Sequence, residues 1–187
     1  MDPVLFDFPN EFTSERLYIR LPKPGDAEVI YPAQLASMKD LKTWMAWAQK
    51  DQSKEELEVN IRNAHFQFLK RENMRLHVFL KETGEFVGCS GLHRINWEIP
   101  KFEIGYWIDS RMSGNGYMTE AVERVAVFAF TELGAKRVEI RCDSKNKKSR
   151  GIPERLNFEL EGILKHDDLS VDGSELRDTC IYAKIRS

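Results

Sequence analysis

Leu17, Ile19 and Leu21 alternate with Tyr18 and Arg20, the period-two signature of a first strand, and Pro22-Lys23-Pro24-Gly25-Asp26 breaks it while offering Asp26 as a helix N-cap. A helix from about Ala27 to Ser37 follows. Ser53-Lys54-Glu55-Glu56 reads as a capping box, and Leu57, Ile61, Ala64 and Phe68 then share one helical face as far as about Arg71. Between these two helices lies Leu41 to Trp47, carrying Trp44 and Trp47. Strand-like runs from Leu76 to Lys81, Phe86 to Ile95 and Phe102 to Asp109 are separated by connections short enough for antiparallel hairpins, so the middle of the chain reads as a meander. From Thr119 to Leu133 the apolar positions return to helical period, and Gly134 closes that helix. Arg137 to Cys142 reads as a strand, about Ser149 to Leu156 as a short helix strained by Pro153, and Phe158 to His166 and Leu176 to Ile185 as two last strands around the polar loop Asp167 to Ser174. No repeat, linker or low-complexity segment interrupts the pattern.

Composition narrows this picture. The chain has 187 residues, 42% hydrophobic and 31% charged, with 28 basic against 30 acidic side chains. That is enough chain for one buried core, and a single domain over 1–187, with its core at about 13–185, is expected. A net charge of −2 leaves no electrostatic basis for wholesale binding of nucleic acid or anionic membrane. The longest apolar run, Val125 to Phe130, is far short of a membrane span, and Met1-Asp2-Pro3-Val4 lacks a basic leader, so a cytoplasmic location is expected. The cysteines, Cys89, Cys142 and Cys180, are odd in number and far apart with no histidine at ligand spacing, which predicts small core residues and no metal site.

The segment richest in chemistry runs from Glu103 through Trp107, Ile108, Asp109, Arg111, Met112, Ser113, Gly114, Asn115, Gly116, Tyr117 and Met118 to Thr119: a strand, a glycine-bearing turn and a helix. Such a turn aims unpaired backbone N–H groups and the positive end of a helix dipole at one spot, which makes a phosphate cradle, although glycines also serve plain chain reversal. A Walker loop is excluded because no Gly-Lys-Ser/Thr follows. A dinucleotide fingerprint fails at its third glycine, here Thr119, and hairpins precede the turn where strand-helix-strand units are required.

Arg111-x-x-Gly114-x-Gly116 resembles the Gln/Arg-x-x-Gly-x-Gly/Ala signature of the GNAT acyl-CoA N-acetyltransferases. Arg16-Leu17-x-Ile19-Arg20, Asp26-Ala27, Gly88-x-x-Gly91, Glu103-Ile104-Gly105-Tyr106-Trp107-Ile108, Tyr117-x-Thr119-Glu120-Ala121, Asn146-x-x-Ser149 and Phe158-x-Leu160-Glu161-Gly162 are similar, in order, to its RimJ/RimL branch of ribosomal-protein serine or alanine acetyltransferases. Asn157 departs from the branch's usual glycine. Asparagine tolerates the same left-handed backbone.

That resemblance implies an α/β GNAT fold: a mixed, mainly antiparallel sheet of about six or seven strands, with about four helices, splayed between the strand ending at Asp109 and the one beginning at Arg137. It implies acetyl-CoA as cofactor, CoA as product, and acetyl transfer to a primary amine, first of all a protein N-terminal amine. A small amine such as a polyamine, amino sugar or antibiotic is the alternative acceptor, and a non-catalytic acyl-CoA sensor the alternative class. Homodimers are common in the family.

The resemblance also assigns roles. The pyrophosphate lies on the amides of Met112 to Tyr117, with Thr119 able to add a hydroxyl, and the pantetheine arm pairs with Trp107 to Asp109 and hydrogen-bonds Asn146. Ser149 stands near the sulfur as the acid, and Trp44, Trp47, His93 and Trp97 wall the acceptor site. Alternation along the strand places Glu103 on one face with Gly105 and Trp107, which makes it the candidate base. The basic run Arg137, Arg141, Lys145, Lys147, Lys148 and Arg150 falls where the family places nucleotide phosphates, and Asp167, Asp168 and Asp172 could attract a cationic amine.

Overall fold

The computed structural model describes residues 2–186. Its strands β1 (Glu11–Thr13), β2 (Leu17–Arg20), β3 (Met74–Leu80), β4 (Phe86–Asn96), β5 (Lys101–Ile108), β6 (Arg137–Asp143), β7 (Glu159–Leu169) and β8 (Leu176–Ile185) form one sheet in the order β1-β2-β3-β4-β5-β6-β8-β7. The expected six or seven strands are thus eight. Helices α1 (Ala27–Trp44) and α2 (Lys54–Leu69) cover one face, and α3 (Tyr117–Thr131) and α4 (Lys147–Arg155) the other.

Strand alternation divides the two cores. Leu76 and Val78 of β3 and Ile104 of β5 pack with Val122, Val125 and Ala129 of α3. Phe79, Phe86 and Cys89 pack the opposite way, on Ile30 of α1 and on Leu57 and Ile61 of α2. The capping box at α2 forms as the sequence predicts: Glu56 N donates to Ser53 Oγ at 3.1 Å, and Ser53 N donates to the Glu56 carboxylate at 2.7 Å.

Every neighbouring pair of strands is antiparallel except β5 and β6, which run parallel and touch only at Lys101–Glu103 against Arg137–Glu139. Beyond Glu103 they diverge, so the expected splay is present. The edge of β5 from Ile104 onward that faces β6 is left without a strand partner.

Several boundaries move. α1 continues past Ser37 to Trp44 because Leu41 buries against the core, and it tolerates Pro32 on its exposed side. α4 begins at Lys147, two residues before Ser149, because Asn146 caps it: Ser149 N donates to Asn146 Oδ1 at 3.1 Å. β7 extends to Leu169, so Asp167 and Asp168 belong to a strand and not to the loop. Asn157 adopts φ +56°, the left-handed conformation that glycine would supply. Cys89 and Cys180 are buried free thiols, and Cys142 is half-buried. Among the described residues no helix is long and apolar enough to cross a membrane.

Candidate active site

The divergence of β5 and β6 opens a cleft of about 670 Å³. Its walls come from the C-terminal end of α1, from α2, from the exposed edge of β5, and from β6 with the start of α4. Tyr106 spans the opening: its hydroxyl donates to the Ser149 carbonyl at 2.9 Å and lies 3.1 Å from Ser149 Oγ, tying β5 to α4 where no backbone ladder joins them. Burial pushes the Tyr106 hydroxyl far above its usual pKa, so it stays protonated. Burial likewise pushes the Cys142 thiol, on the same wall, up to about 12.

Below the end of β5 the chain turns through the glycine loop into α3. Asp109, 1% exposed, accepts hydrogen bonds from the backbone N and guanidinium of Arg111, and Ser110 N donates to Ser37 Oγ of α1 at 2.8 Å. Gly114 at φ +86° and Gly116 at φ +76° hold conformations that a side chain disfavours. Gly116 is the N-cap of α3 and offers no side chain, so the first amides of the helix are uncapped and the positive dipole end is open. Arg16 clamps this loop from β2's leading edge. Its Nη1 donates to the Asn115 carbonyl at 3.0 Å, its Nε to Glu120 at 2.6 Å, and its guanidinium lies 4.6 Å over the Tyr117 ring. Thr119 Oγ1 accepts from Arg155 Nη2 at 3.0 Å.

The cleft gathers most of the residues singled out from the sequence: Trp44, Trp47, His93, Glu103, Trp107, Asn146 and Ser149 all line it. Glu103 is 8% exposed and accepts from His93 Nε2 at 3.1 Å, with Arg94 3.5 Å from its other oxygen. The His93 ring sits against Gly105, where a Cβ would come 2.6 Å from its Cε1. Trp107 packs between Phe86 and Trp47.

Other expected placements are corrected. Trp97 lies away from the cleft, edge-to-face with Phe102 and tilted against Phe6, with its Nε1 donating to the Arg71 carbonyl. The side chain of Met118 is in the core of α3, leaving only its amide to the loop, and Arg111 is paired with Asp109. The basic run is largely neutralised, Arg137 by Glu139 and Glu161, Lys145 by Glu175, and Arg150 by contacts to Tyr182 and Glu154. Of the acidic residues of the last hairpin, Asp167 is matched by Arg141 and Asp168 by Arg177, while Asp172 accepts from the hydroxyls of Ser170 and Ser174 in its own turn. Sequence reasoning missed Tyr106 as the residue that bridges the opening, although alternation already sets it on the face opposite Glu103. Among the described residues no group of three or more His, Cys, Asp or Glu could hold a metal ion.

A family profile described as an acetyltransferase (GNAT) domain matches residues 16–159. The chain is 32% identical over 174 residues to the “Putative ribosomal N-acetyltransferase YdaF” of Bacillus subtilis, spanning 92% of this chain and 93% of that one. It is 28% identical over 149 residues to the ribosomal-protein-serine acetyltransferase of Escherichia coli, spanning 77% and 80%. The fold also matches the microcin C7 self-immunity acetyltransferase MccE, solved with acetyl-CoA and AMP, at TM-score 0.84 and 23% identity over 92% of this chain and 94% of that one.

Proposed function

The chain belongs to the GNAT acetyltransferase family, and on that premise we propose that it moves the acetyl group of acetyl-CoA to the α-amine of a protein N-terminus in the cytoplasm. The observation that carries this reading is the opening between β5 and β6, which joins an uncapped helix end on one side to an aromatic-walled cleft on the other. Both relatives are named for ribosomal-protein acetylation, which supports a protein acceptor.

Acetyl-CoA supplies the activated acyl group, and the chain's residues do the rest. The amides from Met112 to Tyr117, with the α3 dipole behind them, hold the pyrophosphate. The unpaired edge of β5 at Trp107 and Ile108, continuing to Asp109, receives the pantetheine arm as an added strand. Asn146 spends its carbonyl oxygen on Ser149 N, and its NH₂ remains to donate to a pantetheine carbonyl.

Transfer requires a neutral amine. At about 1.36 kcal/mol per unit, neutralising an α-amine of pKa ~7.8 at pH 7 costs about 1 kcal/mol, against about 4.6 kcal/mol for a lysine of pKa ~10.4. A carboxylate such as Glu103, acting directly or through one water, meets the smaller demand, with His93 and Arg94 fixing its orientation. The amine nitrogen bonds to the thioester carbonyl carbon, the C–S bond breaks, the amine proton passes to Glu103, and the departing sulfur takes a proton from Ser149 Oγ. Ser149 Oγ then regains a proton from solvent, while the Tyr106 hydroxyl, donating to the Ser149 carbonyl, holds the serine in place.

Because a CoA thiolate with pKa near ~8.5 leaves without much help, Ser149→Ala is expected to lower kcat about 10-fold with the KM for acetyl-CoA little changed. Glu103→Gln is expected to lower kcat about 100-fold, the low end of the usual range of about 10²- to 10⁴-fold for loss of a general base. Stopped-time acetylation assays read both, and full turnover in the double variant would remove both residues from the mechanism. Arg16→Met frees the Asn115 carbonyl and the Tyr117 ring, and is expected to raise the Kd for acetyl-CoA about 10-fold, as calorimetry would show.

The acceptor is tested by incubating the enzyme and acetyl-CoA with ribosomal proteins and with synthetic peptides, then locating the acetyl group by mass spectrometry. Acetyl at α-amines is the expected result. Rapid acetylation of small amines with none on any protein or peptide would overturn the assignment, and saturable binding with no turnover on either would mark a sensor.

A further inference from the structure

One cation of the cleft takes no part in the transfer chemistry. Arg75 of β3 lines the cleft and is half-buried. Its Nη1 donates to Asn60 Oδ1 of α2 at 2.7 Å, and among the described residues it belongs to no ion pair. The other two arginines of the cleft are committed, Arg141 to Asp167 and Arg177 to Asp143 and Asp168. Arg75 Nε and Nη2 have no partner among the described residues and keep accessible surface, so that side of the guanidinium is open to a ligand. The strand registers bring it near the reacting centre: Arg75 lies opposite Gly91 of β4, and Gly91 opposite Gly105 of β5, two residues from Glu103. Arg75, Gly105 and Glu103 share the sheet face under α2, since the intervening Met74, Leu76 and Ile104 pack on the face under α3. At about 4.8 Å between strands and about 3.3 Å per residue, the Cα atoms of Arg75 and Glu103 are about 12 Å apart. Gly91 and Gly105 add no side chain to the floor between them.

Charge and shape select the ligand. An uncompensated guanidinium on the wall of a partly desolvated cleft attracts an anion and repels the extra ammonium groups of a polyamine. Nε–H and Nη2–H form a fork that matches the two oxygens of a carboxylate. Asn60 fixes that fork through its carbonyl oxygen and keeps its NH₂ free to donate to the same anion. A phosphate dianion would call for a second guanidinium, and Arg141 and Arg177 are already spent. A gap of about 12 Å, shortened by the two side chains, is the span of an acceptor's first two or three residues.

We propose that Arg75, held by Asn60, is an anion subsite of the acceptor cleft that takes a carboxylate carried within two or three residues' length of the reactive amine. The proposal rests on the reading of this cleft as the acceptor site. It makes a peptide with an acidic residue at its second or third position, or a small amine that bears a carboxylate, a better acceptor than the matching amide.

The test compares kcat/KM for peptide pairs that differ only in glutamate or glutamine at position 2 or at position 3, with the wild type and with Arg75→Gln, which removes the charge. Glutamate is expected to lead by about 10-fold at one of these positions with the wild type, mainly through KM, and by less than 2-fold with the variant. Because Arg75 is half-buried, the wild-type lead should shrink as salt is raised. A lead that survives the substitution, or none in the wild type, would overturn the subsite. Where Arg75→Gln does not fold, Arg75→Lys takes its place: it keeps the charge but loses the fork, a lead cut to about 3-fold is expected, and an unchanged lead overturns the proposal. Should no peptide be acetylated, the comparison is made with 4-aminobutanoate and 4-aminobutanamide. A carboxylate preference lost in Arg75→Gln then sustains the subsite while the protein-acceptor reading fails, and one that is unchanged or absent rejects the subsite. If no amine is turned over at all, calorimetric titration of the CoA-loaded protein with the glutamate and glutamine peptides decides: tighter binding of the glutamate peptide, lost in Arg75→Gln, sustains the subsite, and equal binding rejects it.

Discussion

Replacing Gly114 with tryptophan is expected to remove acetyl-CoA binding from the calorimetrically measurable range while the protein still unfolds in one transition. The argument begins with space. No atom lies within 4 Å of a Cβ built at Gly114, so the new side chain disturbs no core packing. It projects instead into the open region above the uncapped start of α3. The residue must also keep φ +86°, which for a non-glycine costs about 1–2 kcal/mol and lowers Tm by about 2–8 °C in a chain of this size. Blocking even two amide contacts to a charged phosphate, each worth about 1.5–3 kcal/mol, weakens binding by about 10²- to 10⁴-fold. Binding should therefore fail while folding persists. A Kd within 3-fold of wild type would place the pyrophosphate somewhere other than this loop.

The same loop shows how far the amino-acid order could be read. Glycine spacing, the preceding strand and the following helix are local, and the turn predicted from them is the turn observed, with the helix starting at Tyr117 in place of Thr119. The β3-β4-β5 meander and the α2 capping box were legible for the same reason, since each is written in residues close together in the chain. β1 escaped notice because its three residues bury one side chain, Phe12, and no periodicity can be read from one position. The full length of β7 escaped because nearly all of it is exposed, so it lacks the alternation that marks a half-buried strand.

Pairing across the fold was the harder part. Nothing in the local sequence says that His93 spends its Nε2 on Glu103, that Asn146 rather than Ser149 caps α4, or that Arg141 and Arg177 meet the acidic residues of β7. Each of these unites residues at least three positions apart through a strand register or a helix start that residue type does not reveal. Trp97 shows the converse. A tryptophan between two strands is equally suited to a binding wall and to a core, and the nearness of Phe6, Phe102 and the Arg71 carbonyl decides for the core.

Asp26→Ala is expected to cost about 3–5 kcal/mol of stability at pH 7, the range seen when one member of a buried ion pair is removed. Asp26 is 7% exposed, and its carboxylate receives two guanidinium nitrogens of Arg20, Lys23 N and the His77 ring. Alanine leaves all of those donors inside the fold without their acceptor. At about 2–4 °C per kcal/mol for this length, Tm should fall by about 6–20 °C. Burial alone would raise the carboxyl pKa, but the hydrogen bonds from Arg20 and His77 outweigh it and hold Asp26 well below the usual carboxylate range. A folded pKa below the unfolded value of ~3.9 means that the stabilisation is fully present above about pH 5 and drains away as pH falls through 3.9 toward the folded value. Urea unfolding of wild type and variant at pH 7 and at pH 3 reads this directly, and the gap between them should be smaller at pH 3. A gap below about 1 kcal/mol at pH 7, or one that does not change with pH, would show that the carboxylate's charge is not what ties the head of α1 to β2 and β3.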